Sequence, residues 1–384
     1  MIEKIKLRNF KSLRDVSLIL GNLNVITGIN GVGKSSLIQS ILLLRQAYQN
    51  NHASHGISLD GPYTGNLGCV KDIENSQSDN DEIEININGA SFLFSTGERR
   101  DETVLKGDID FGPLENNPIF SLDRFQYISA SRASPETQFV KNTYAIENKN
   151  LGKNGEFAVS YISENGQKAF DKDHNFQYRP LVCIAEDNDK IPLPLEGQIN
   201  YWLNFVSDNV RLRIVKTTAT KYELYFESFN GLNWDSYTAV NSAFGLTYSL
   251  PIITSLLIAR AGDVVILENP ESDLHPKAQS KMGELLGYCA NAGIQIIVET
   301  HSDHVLNGIR LAVSNSPQII SHEKIKIFYF HKESMLQATE VEEIEIDSNG
   351  RMPIKELRLK GITGFFDQID QDYKRLLLNQ HAKN

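Results

Sequence analysis

The chain of 384 residues carries 38 Lys and Arg against 48 Asp and Glu, a net charge of −10, which excludes a protein that is basic throughout and wraps nucleic acid by bulk charge. Hydrophobic residues make up 41%, enough for a sizeable core, and no apolar run reaches the ~18–20 residues of a membrane span. The opening MIEKIKLRNFKSL holds no signal-peptide core, and Cys69, Cys183 and Cys289 are too few and scattered for a disulfide framework or a cysteine zinc site. The chain reads as soluble and cytoplasmic, with two or three structural units.

Apolar and polar residues alternate from Ile2 to Asn9, the pattern of a half-buried strand. Val16–Leu20 and Asn24–Thr27 predict two more strands, and a Gly-rich turn then opens a helix over Ser35–Tyr48. Glu82–Asn88 alternates strictly, and Asn88-Gly89 leads into Ser91–Ser95, a hairpin signal. Phe125–Ile128 is another short strand. From Pro135 to Asp235 the pattern is broken by Gly, Asn and Asp, with one amphipathic stretch, Glu196–Val206, and strands near Arg211–Lys216 and Lys221–Glu227. An alternating β/α half follows: a helix over Leu246–Arg260, strand Val264–Leu267, a helix near Lys277–Ala290, and strands Gln295–Val298 and Lys326–Phe330. Strand Glu340–Ile346 and a helix around Asp367–Leu378 end the chain.

The first chemical motif is GINGVGKS, Gly28 to Ser35, matching G-x-x-x-x-G-K-[ST] between an apolar strand and a helix. Gly28, Gly31 and Gly33 let backbone N–H groups of the loop, with Asn30 and Ser36 beside them, face phosphate oxygens. Lys34 brings a point charge to the β- and γ-phosphates, and the Ser35 hydroxyl ligates Mg²⁺. The motif predicts binding of ATP with Mg²⁺. The second, VVILENPESDLHP, ends four apolar residues in Glu268, the pattern of an acid that holds Mg²⁺; an ordinary core strand with an acidic loop reads the same way. The third, IIVETHSDH, places His301 33 residues past Glu268, room for a helix and a strand back to the same rim. His301 and His304 diverge at a strand end, so a hydrogen-bonding pair is expected rather than a zinc site.

Together IKLRNFKSLRDVSL, GINGVGKS, LENPESDLHP and ETHSDH resemble the ABC-type ATPase heads of the RecF, structural-maintenance-of-chromosomes and overcoming-lysogenization-defect (OLD) group. The tail GITGFFDQ, with VETHSDHVLNGIRLAV, resembles more narrowly a branch of prokaryotic ATPases, several of which sit in antiphage defence loci. The resemblance implies an α/β head: a P-loop mixed sheet flanked by helices, an antiparallel β subdomain and an inserted lobe. Residues 1–135 would form lobe I, 136–235 the insert, 236–335 lobe II, and 336–384 a strand–helix cap. It implies that AFGLTYSLP, Ala243 to Pro251, stands where a signature segment contacts a partner subunit's γ-phosphate, through Gly245 and Thr247. The usual Leu-Ser-Gly-Gly-Gln is absent, and an ordinary helix start remains the alternative. Ser272-Asp273-Leu274 matches the loop that crosses to the other subunit, and His301 the switch histidine.

Two departures stand out. The metal acid, Asp in the family, is Glu268, and the catalytic Glu that follows it is Asn269, whose amide orients water but cannot take its proton. Glu271 is then the candidate acid. Lys4, Lys6, Arg8, Lys11 and Arg14 form a basic stripe, read as the solvated face of an edge strand, a DNA contact, or, at Lys11 and Ser12, an adenine-side contact.

The functional expectation is a slow ATPase switch, a homodimer or higher oligomer sandwiching ATP, that controls an effector such as a nuclease or toxin in defence. A RecF-like DNA-repair ATPase is the alternative. An OLD-like nuclease is the third, disfavoured by the short stretch after Phe330; its candidate acids are Asp187 with Asp189 and Asp370 with Asp372. No membrane partner is expected.

Overall fold

The computed structural model describes residues 1–50, 56–78, 80–97, 100–167, 194–332, 337–359 and 368–381. Cys183, Asp187, Asp189 and residues 361–367 of the GITGFFDQ tail lie outside them. The strands in chain order are β1 (Lys4–Phe10), β2 (Leu13–Ile19), β3 (Leu23–Gly28), β4 (Ile57–Ser58), β5 (Asp60–Gly61), β6 (Gly65–Asn66), β7 (Glu82–Ile87), β8 (Ala90–Ser95), β9 (Val104–Asp108), β10 (Phe125–Ile128), β11 (Phe139–Val140), β12 (Val210–Thr218), β13 (Lys221–Phe229), β14 (Trp234–Thr238), β15 (Val264–Glu268), β16 (Gln295–Glu299), β17 (Ile325–His331) and β18 (Glu340–Ile344). The helices that matter below are α1 (Lys34–Gln49), α2 (Ala158–Asn165), α3 (Leu195–Val206), α4 (Phe244–Ile258), α5 (Pro276–Asn291) and α6 (Asp303–Ser314).

The central sheet runs β10-β15-β16-β3-β17-β18, parallel except for β18. Its inner strands β15, β16, β3 and β17 are mostly apolar because both faces are covered, whereas the edge strand β18 carries three glutamates. Successive side chains leave opposite faces. Val25, Leu267, Val298 and Ile327 therefore join a core with α4 and α5, while Ile26, Ile266, Ile297 and Phe328 join a second core with α1 and the antiparallel sheet. Parallel strands bring their carboxyl ends to one rim, where Gly28, Glu268 and Glu299 stand.

The antiparallel sheet runs β2-β1-β7-β8-β9-β4. The Asn88-Gly89 hairpin forms as expected, with Ile87 opposite Ala90. One expectation is corrected: β1 is an interior strand between β2 and β7, not an edge. Its solvent face is also partly neutralised, since Glu84 on β7 lies 3.6 Å from Lys6 and 3.9 Å from Arg8. A third sheet, β11-β13-β12 with β14 on β13, packs with α2 and α3 into the core that holds α4 and α5.

Helix α6 was not expected from the sequence. Its start signal is local: Ser302 accepts from the backbone N–H groups of His304 and Val305. α6 lies against α5 at very short range, through Gly283 and Gly308. A Cβ on Gly308 would sit 1.9 Å from the Ser280 carbonyl oxygen, so the helices would have to separate. Gly308→Ala should destabilise the chain by about 2–3 kcal/mol, as overpacking does. A denaturant midpoint equal to the wild type would contradict this close approach.

Candidate nucleotide site

The phosphate loop is built between a fully buried strand and a helix. β3 is buried along its whole length and ends at Gly28, with φ 139° and no room for a side chain: a Cβ would lie 2.1 Å from the Phe330 carbonyl oxygen. Gly33 has φ 94°, and its Cβ would lie 2.1 Å from Ser12 Oγ. Thr339 donates to the Val32 carbonyl at 2.6 Å and braces the loop from beneath. No side chain caps α1, and of its first N–H groups that of Ser36 donates to the Gly33 carbonyl at 3.1 Å. The result is a concave, oxyanion-sized backbone cradle.

Lys34 is 4% exposed, and its ammonium donates to the Gly28 carbonyl at 3.0 Å and the Ile29 carbonyl at 2.7 Å. Burial holds its pKa below the usual lysine range, with Glu299 opposing. The cleft above the loop has a volume of about 530 Å³, and Asn30, Gly31, Gly33, Lys34, Ser35 and Ser36 line it. Lys11, Ser12, Asn269, Glu299 and His301 complete the wall. Lys11 thus belongs to the cleft, where it donates to Gln39 at 2.7 Å, and not to a separate basic surface. Burial first, then the Lys34 charge, holds the His301 imidazole below its ordinary range, which keeps it neutral at pH 7.

The acids at the rim are not distributed as the sequence suggested. Ser35 and Glu268, expected together at the metal, are not hydrogen-bonded to each other. Strand β16 lies between β15 and β3, so the acid next to the P-loop is Glu299, and Ser35 Oγ donates to its Oε1 at 3.2 Å. Glu268, one strand further out, accepts from Tyr127 Oη at 3.2 Å and from the Ala130 N–H at 3.0 Å. Glu271 accepts from Thr300 Oγ1 at 2.8 Å and the His301 N–H at 2.7 Å, and it is not among the residues of the cleft wall. Asn269, with φ 45°, does line the cleft.

Two groups were missed in the sequence. Glu299 sits inside VETHSDH, where the histidine took the attention. It is 5% exposed, its Oε2 has no hydrogen-bond partner, and burial and then Glu268 push its carboxyl up to about 7. Arg132, in the loop after β10, is the second. Its guanidinium donates to the carbonyls of Ala130, Glu268 and Asn269 at 3.0, 2.6 and 3.1 Å. Burial brings its pKa down to about 10, so it stays charged at neutral pH and fixes the turn that carries Glu268 and Asn269. No motif marks an arginine of this kind; only the fold brings it to the rim.

The signature expectation fares differently. Gly245 is buried, with a Cβ position 2.5 Å from the Asp273 carbonyl oxygen, so close packing alone requires glycine there. Thr247 is 8% exposed, its hydroxyl unpartnered beside a small cavity walled by Ala133, Gly155 and Pro251. Neither lines this chain's own cleft. Asp370 and Asp372 fall in the helix Gln368–His381, apart from the rim strands in sequence.

The cradle fits a triphosphate, and the donors fit a hydrated Mg²⁺ beside it. A hydroxyl, a buried carboxylate oxygen without a partner and the unpartnered Asn269 Oδ1 are hard oxygen ligands of the kind this ion takes together with phosphate and water.

A P-loop at the carboxyl rim of a parallel sheet, with acids and a histidine from the neighbouring strands, defines the chain as a P-loop ATPase. It belongs to the family described as AAA domain, putative AbiEii toxin, Type IV TA system, whose model matches residues 23–307. A curated relative is the Old nuclease of Escherichia phage P2, 22% identical over 374 residues. The match covers 85% of this chain and 62% of that protein, so the chain spans about three-fifths of its relative's length. Similar solved structures include the Smc head domain with an extended coiled coil bound to the C-terminal domain of ScpA derived from Pyrococcus furiosus, at 12% identity and TM-score 0.49, covering 90% of this chain and 96% of that one. The SMC head domain from Thermotoga maritima is similar at 12% identity and TM-score 0.42, covering 90% and 99%. Among the described residues no helix is long and apolar enough to cross a membrane.

Proposed function

We propose that the chain is an ATP-dependent switch: it binds Mg-ATP in the cleft above Gly28–Ser36, pairs with a second copy, hydrolyses ATP slowly, and passes the change to an effector in prokaryotic defence. The observation that carries the proposal is the incompleteness of the site within one chain. The cleft holds a phosphate cradle, Lys34, Glu299, Asn269 and His301, and it opens to solvent with no group from α4 upon it. The start of α4 instead faces outward, with Phe244 54% exposed. A second copy would bring that helix start, whose backbone N–H groups favour an anion, over the γ-phosphate. The division into two ATPase lobes, an insert over 136–235 and a terminal cap is part of the same reading.

Slow turnover follows from the groups present. Asn269 cannot accept a proton, and Glu271, which accepts from Thr300 and the His301 N–H, does not line the cleft. Mg²⁺ would neutralise phosphate charge, and Lys34 and the loop N–H groups would hold the β- and γ-phosphates in place. His301, neutral at pH 7, can hydrogen-bond a phosphate or a water.

The family description and the phage relative favour a defence or toxin–antitoxin setting over DNA repair. The test is self-association. Light scattering with a non-hydrolysable ATP analogue and Mg²⁺ should show a doubling of mass that Lys34→Ala abolishes. A chain that binds the analogue yet stays monomeric at high concentration would overturn the switch while leaving the ATPase class intact.

A further inference from the structure

Glu268, the acid expected at the metal, and Glu271, the acid expected to activate water, each accept a protein donor on both carboxylate oxygens. Glu268 is held by Tyr127 Oη and the Ala130 N–H, and its own carbonyl accepts from Arg132. Glu271 is held by Thr300 and the His301 N–H. Glu299 alone of the three reaches the P-loop serine, and its second oxygen is buried without a partner.

We infer that the metal acid of this ATPase is Glu299, at the end of the strand between the P-loop strand and the Glu268 strand, and that Glu268 serves instead as a positioning residue for the loop of residues 129–134. The inference rests on the reading of the cleft as a Mg-ATP site and assigns a ligand within it.

Topology makes the exchange feasible. Glu268 and Glu299 are side by side in register on β15 and β16, and Glu299 in turn pairs with Ile26, two residues before Gly28. Two strand spacings separate β15 from β3, roughly 9.5 Å, whereas β16 is one spacing of about 4.8 Å away. Of the two, Glu299 lines the cleft above the P-loop and Glu268, engaged by Tyr127 and Ala130, does not.

What Glu268 holds is also visible. The loop it anchors runs on to a segment packed against α4. Ser129 Oγ donates to Asn154 at 2.9 Å, the Ala133 N–H donates to the Asn154 carbonyl at 2.8 Å, and Gly155 lies against Pro251 of α4. A chain of contacts therefore links the end of β15 to the helix proposed to meet the second copy. Releasing Glu268 would loosen the loop without taking an oxygen from the ion.

The experiment is a Mg²⁺ titration of fluorescent ATP binding to the full chain, with Mn²⁺ as a paramagnetic probe followed by electron paramagnetic resonance. Glu299→Gln should raise the cation concentration for half-saturation at least tenfold and release bound Mn²⁺, while ATP without metal still binds through the loop. Glu268→Gln should shift the cation midpoint less than threefold and instead increase proteolytic cutting within residues 129–134. Should Glu299→Gln not fold, Glu299→Asp, which withdraws the carboxylate by one methylene, should give the same shift. The reverse pattern, a large cation shift in Glu268→Gln and none in the Glu299 variants, overturns the assignment. If wild-type protein binds no ATP at all, the nucleotide reading itself falls, and this assignment with it.

Discussion

Lys34→Ala should remove ATP binding from the measurable range, weakening it at least a hundredfold. The side chain is almost wholly buried, and its ammonium rests on the Gly28 and Ile29 carbonyls at the floor of the cradle. A triphosphate arriving there meets a charge already stripped of water, so each contact is stronger than its aqueous counterpart. A loss of several kcal/mol is the expected scale for removing a charge-assisted pair from such a place. The resting protein should lose little, because the two carbonyls it served lie beside an open, wettable cleft. Calorimetry of ATP binding and a denaturant curve make the comparison. Unchanged affinity would show that the loop is a structural turn and the cleft something else.

The loop was legible because its chemistry is contiguous: strand, glycines, lysine, serine and helix follow one another in eight residues and their flanks. The central strands were legible for a related reason, since a strand buried on both faces is mostly apolar, and Val264–Leu267 and Ile296–Val298 are apolar throughout. The contact between Ser35 and Glu299 was not. It depends on the order of strands in the sheet, and no local pattern states that β16 lies between β15 and β3. Glu268 was the natural choice along the chain; in space Glu299 is nearer to Ser35. Arg132 was hidden likewise, its partners lying more than a hundred residues away. Gly245 also answers to a packing demand that no local pattern states, since the Asp273 carbonyl fills the space a side chain would need.

In protein free of metal and nucleotide, Glu299→Gln should stabilise the fold at pH 8 and leave it unchanged near pH 4. The carboxyl is pushed up to about 7 from an ordinary 4.5, by burial first and then by Glu268, with Lys34 and Ser35 opposing and Glu271 adding to the rise. Between those two values the folded chain keeps a proton that the unfolded chain has released. The folded state therefore binds more protons, and stability falls as pH rises through that window. Above pH 7 the full cost is present; below 4.5 both states hold the proton and the cost vanishes. At 1.36 kcal/mol per unit the span corresponds to about 3 kcal/mol, which the neutral amide of glutamine avoids. Urea midpoints in EDTA across pH 4–8 would measure the difference between variant and wild type. A difference that stays flat with pH would show that the carboxyl ionises normally and is not confined among like charges. Adding Mg-ATP at pH 8 should reverse the ranking. A cation beside the carboxylate favours its charged form, so ligand binding stabilises the wild type by more than the variant. The same burial that makes Glu299 costly in the empty protein leaves an uncompensated negative oxygen at the place where Ser35 and a divalent cation would meet.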